Sequence, residues 1–116
     1  MSIPSEITVL VERIKQELTQ IEQEAVEGLN ICRAILESFP NNFTVIQLSG
    51  FLNTCIFFAD TSKTQIQDRI EYLSAVEVLT NERIEEVGED LAMELGRVLE
   101  TKIRVSSVKA RLENLQ

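Results

Sequence analysis

Among the side chains of this 116-residue chain that could do chemistry, the 19 carboxylates are the most numerous and histidine is absent. That absence removes the commonest general base near neutral pH, every Ser-His or Cys-His nucleophile arrangement, and the Glu-x-x-His sites of di-metal helical bundles. The densest acidic group is Glu82, Glu85, Glu86, Glu89, Asp90 and Glu94. It lacks the spaced Asp/Asn/Gly pattern of a calcium loop. On a helix such a run is a solvated face whose first members complement the N-terminal dipole. Two cysteines, Cys32 and Cys55, are too far apart in sequence for a metal or redox motif and fall on apolar faces, as small buried hydrophobes do. The four glycines (Gly28, Gly50, Gly88, Gly96) are isolated, so no phosphate-cradling loop exists. No catalytic residue, metal or cofactor is expected, and the chain reads as a non-enzyme.

The cations are more informative. Arg97, Arg104 and Arg111 recur every seven residues and form one row on a helix, while Lys102 and Lys109 form another nearer the apolar edge. A row of arginines can grip phosphate or carboxylate. The net charge of −8 and the lack of neighbouring aromatics disfavour nucleic acid. An acidic protein partner remains, and the glutamate-rich first helix (Glu12, Glu17, Glu22, Glu24) of a second copy is one candidate.

These residues must be positioned by helices. From Ser5 onward one apolar rail reads Ile7, Ile14, Ile21, Gly28, Ile35 and a second reads Val11, Leu18, Ala25, Cys32, Phe39. Steps of four and three sustained over five heptads predict a helix that packs lengthwise on partners. Pro4 opens it, with Ser5 or Ser2 as cap, and Pro40 followed by Asn41-Asn42 closes it near Ser38. A second rail, Val45, Leu52, Ala59, Ile66, Leu73, predicts a helix over about 44–79. Its phase is unbroken across Asp60-Thr61-Ser62-Lys63-Thr64, although that stretch has loop-like composition. A third rail, Ile84, Leu91, Val98, Val105, Leu112, predicts a helix over about 82–114. Three helices of matched length joined by short connections give an all-α, antiparallel up-down-up three-helix bundle with heptad packing, one domain over residues 1–116. The alternative is one long helix over 44–115 inside a dimer, since the joint at 79–82 has no Gly or Pro.

The central stretch, Phe39 to Ala59, holds all five phenylalanines. Its apolar run is interrupted by Gln47, Ser49, Asn53 and Thr54, which favours a core helix over a membrane span. Ile46 and Phe57 project from its otherwise polar side, close in angle to Gly50, and mark a candidate second interface. Composition and residue pattern together suggest a cytoplasmic interaction module that acts as a homodimer and binds a protein partner through helical faces. The residues expected at contacts are Ile46, Gly50 and Phe57, then Arg97, Arg104 and Arg111. The contrasting expectation is a small acidic chaperone or antitoxin-like inhibitor that masks an apolar helix of its partner. Neither a membrane nor a small-molecule substrate is expected.

Overall fold

A computed structural model describes residues 3–76 and 78–116. Its elements are α1 (Ser5–Ser38), α2 (Phe43–Ala75) and α3 (Asn81–Leu115), with no strand among the described residues. Each boundary has a local cause. Pro4, with its ring-fixed φ of −54°, occupies the N-cap of α1, and its carbonyl accepts from the amides of Ile7 and Thr8. Ser5 is therefore inside the first turn rather than capping it, and Ser2 lies outside the described residues. Asn42 caps α2, its Oδ1 accepting from Val45 N–H at 3.2 Å, so the helix starts at Phe43. Thr80 caps α3 in the same way, accepting from Arg83 N–H at 3.1 Å, and Glu82 adds negative charge to the first turn.

Helix α2 runs without a break through residues 60–64. The Thr64 hydroxyl donates to the Asp60 carbonyl at 3.1 Å, which satisfies it inside the helix, and Ser62 is buried in the bundle. The helix ends at Ala75, four residues short of expectation, where Val76 turns to an extended conformation. Val76 and Val78 are β-branched and hold a helix weakly, while the Thr80 cap stabilises a new start. The continuous helix over 44–115 is thus replaced by a break.

The core is one cluster of heptad-spaced residues: Ile7, Ile14 and Ile21 of α1, Val45, Leu52 and Ala59 of α2, and Leu91, Val98, Val105 and Leu112 of α3, among others. Cross-helix contacts set the directions. Lys102 meets Glu17 and Lys109 meets Glu27, so α1 and α3 run parallel. Lys63 meets Glu22, and Gly28 faces Leu52, so α2 runs antiparallel to both. The rod measures 59 × 19 × 16 Å. Helix α1 packs along nearly all of both neighbours, whereas α2 and α3 touch each other only sparingly. Of the four glycines, Gly28 alone stands against a neighbouring helix. A Cβ there would lie 2.8 Å from a Leu52 methyl, while the same atom at Gly50, Gly88 or Gly96 would meet nothing within 4 Å.

Candidate interaction surface

Residues 38–59 contain no Asp, Glu, Lys or Arg. The first half of α2 therefore has to divide apolar and neutral polar groups between core and exterior without charge to mark the outside. The core takes Val45, Leu52, Cys55 and Ala59. Phe51, Phe58 and Ile56 lie on its shoulders, half-buried. On the opposite side stand Phe43, Ile46, Gly50 and Phe57, all exposed, with Phe57 72% and Phe43 69% open to solvent. Ile46, Gly50 and Phe57 thus lie together on one outward face, apart from the core. Phe43 belongs with them. The helix starts at Phe43 rather than Thr44, which brings Phe43 into heptad phase with Gly50 and Phe57. By length and composition α2 could also cross a membrane, and 22% of its most apolar window is buried in the bundle. The expectation of a core helix holds for one face only.

The arginine row sits elsewhere. Arg97, Arg104 and Arg111 are exposed along one line of α3. Arg104 is close enough to Cys55 to oppose the rise in thiol pKa that burial imposes. Arg97 and Arg104 make pairs within their own helix, to Glu94 at 3.9 Å and Glu100 at 3.0 Å; Arg111 makes none among the described residues. At the far end of the bundle Arg83 stacks over Tyr72, 5.8 Å from the ring centroid. The arginines share a line, but they do not share a site with Ile46, Gly50 and Phe57.

The lysine row does different work. Lys102 lies 2.8 Å from Glu17, Lys109 pairs with Glu27, and Ser106 between them donates to Glu24. Glu17 is nearly buried, and the Lys102 ammonium holds its carboxyl below the usual range against the opposing effect of burial. Contact with Glu27 raises the Lys109 pKa in turn. On the other flank of α1, Lys63 lies 2.7 Å from Glu22. Glu17, Glu22 and Glu24 are therefore committed within the chain. That weakens the idea that they form the acidic patch seen by the arginines of a second copy.

One apolar feature had no signal in the sequence. Ser5, Glu6, Val9, Leu10, Arg13 and Leu95 line an open hollow of about 550 Å³ where α1 and α3 begin to run together. Both cysteines are free and buried, and burial pushes both thiols up in pKa. No grouping of metal-ligating side chains occurs among the described residues. No family model matches the chain, and neither the curated proteins nor the solved structures contain a match.

Proposed function

We propose that this chain is a non-enzymatic protein–protein interaction module that self-associates and presents helical faces to another protein. The observation that supports it is the outer face of α2: Phe43, Ile46, Gly50 and Phe57 exposed together on a stretch with no charge. Large exposed apolar groups lying contiguously mark contact surfaces, and aromatic anchors dominate such contacts. The exposed Arg97, Arg104 and Arg111 offer a second, polar contact on α3, suited to carboxylates. Two buried free thiols suit a reducing compartment, which supports a cytoplasmic location for the module.

The test is Phe57→Asp examined by sedimentation and circular dichroism. Wild type should sediment as a dimer whose population rises with concentration, and the variant as a folded monomer. An unfolded variant would place Phe57 in the core and remove the support for this reading.

The hollow at the α1–α3 end favours a second reading, in which the chain is a small acidic chaperone or inhibitor that receives an apolar helix of its partner. The readings separate on thermal unfolding. A self-sufficient dimer melts sharply alone, at a midpoint that rises with its own concentration; a chaperone gains cooperativity only with its client.

A further inference from the structure

We propose that the outer face of α2 is closed by a second copy of the same chain, whose α2 lies antiparallel across it with the two-fold axis at Gly50. This rests on the self-association reading above and specifies its geometry. Phe43 and Phe57 stand seven residues before and seven after Gly50. On a helix that is about 10.5 Å to either side, on one face. A two-fold contact requires a surface complementary to itself. An antiparallel crossing at Gly50 sets Phe43 of each copy opposite Phe57 of the other and leaves the two glycines facing. Gly50 has nothing within 4 Å of where a Cβ would stand, so its missing side chain serves no contact inside the chain and leaves room for a backbone from outside.

Charge selects the occupant and the orientation. Each copy carries −8, and residues 38–59 form its one long stretch without charge, so the contact face itself sets no like charges against each other. Gly50 lies near one end of the rod, the end where the α3 segment 97–116 bears Arg97, Lys102, Arg104, Lys109 and Arg111 against two glutamates. The acidic start of α3, Glu82 to Glu94, lies at the other end, where Arg83 meets Tyr72 of the α2 C-terminal half. Antiparallel overlap limited to Phe43–Phe57 sends the two acidic ends to opposite tips of an elongated dimer. Parallel pairing would lay them side by side. A contact about 21 Å long belongs with the smaller interfaces, under about 1,200 Å², so dissociation in the micromolar range or weaker is expected.

The experiment uses two charge variants, Phe43→Lys and Phe57→Glu, sedimented alone and as an equimolar mixture. Alone, each should lose dimer affinity by at least about tenfold. Mixed, they should recover most of it, because antiparallel pairing sets the introduced lysine of one copy against the introduced glutamate of the other. At the opposite end of the same contact the native Phe57 and Phe43 still meet. A mixture that stays monomeric while wild type dimerises overturns this geometry and leaves self-association standing. A wild-type dimer that neither substitution weakens places the contact on another face and overturns the proposal in the same limited way. A wild type that is monomeric up to about 1 mM, or that is depleted from solution by neutral phosphatidylcholine vesicles, overturns both the geometry and the self-association it rests on.

Discussion

Along the α1–α3 contact, two lysines one heptad apart each find a glutamate on the neighbouring helix: Lys102 meets Glu17, and Lys109 meets Glu27. Along the first half of α2 there is no charge at all, and phenylalanines stand in water where α3 would carry lysine or glutamate. Both helices pack on α1 through a heptad rail, so the difference lies in what surrounds the rail. Ion pairs flanking the α3 rail fix its register on α1 and use up the nearby acids. Neutral flanks on α2 fix nothing and leave an apolar face over. A bundle with charge on every flank would leave no such face exposed.

The contrast breaks most visibly at two positions on opposite sides of α2. Leu52→Asp would place an unpaired carboxylate in the core and should abolish folding, a cost above about 4 kcal/mol, read as loss of helical circular dichroism. Phe57→Asp, on the outer face, should change the stability of the monomer by no more than about 0.5 kcal/mol. Similar losses from both would erase the distinction between faces.

The next effect tests the charged seam. Lys102→Met should cost about 1–2 kcal/mol by urea unfolding, between the values for exposed and buried pairs, since Glu17 is nearly buried and Lys102 is partly exposed. The pairing lowers the folded-state pKa of Glu17 below its ordinary 4.5. Its stabilising effect is therefore full above about pH 4.5 and is lost as the pH falls through the lower folded value. The gap between wild type and Lys102→Met should narrow over that same acid range. A gap that stays constant down to about pH 2 would mean the methionine acts through packing instead.

The smallest effect distinguishes the glycines. Gly96→Ala meets nothing and should stabilise by up to about 1 kcal/mol through helix propensity. Gly28→Ala must push the Leu52 methyl aside and should gain less or lose. Equal gains at both positions would show that α1 and α2 have slack where Gly28 meets Leu52.

The rails were legible because a side chain's phase on a helix depends only on its own sequence. The seven-residue spacing marked three helices, carried α2 correctly through Asp60–Thr64, and placed Ile46 and Phe57 off the core arc. What depends on register between helices was not legible. Lys102 and Lys109 could be seen as a row, but not that the row faces Glu17 and Glu27, which requires knowing how far α3 slides along α1. The hollow lined by Val9, Leu10 and Leu95 was hidden for the same reason. Phe43 escaped by one position of capping: a start near residue 44 leaves it before the helix, whereas Asn42 accepts the capping bond and makes Phe43 the first helical residue.

Helix α1 is the shared partner of the other two, and it is also the first to be synthesised. Its contacts with α2 close across the short Phe39–Asn42 connection, whereas Glu24 and Ser106 are 82 residues apart. A hairpin of α1 and α2 can therefore assemble on the ribosome while the stripe on α1 meant for α3 is still bare. During that interval the nascent chain displays both that stripe and the phenylalanines of α2, and it is then at its most adhesive.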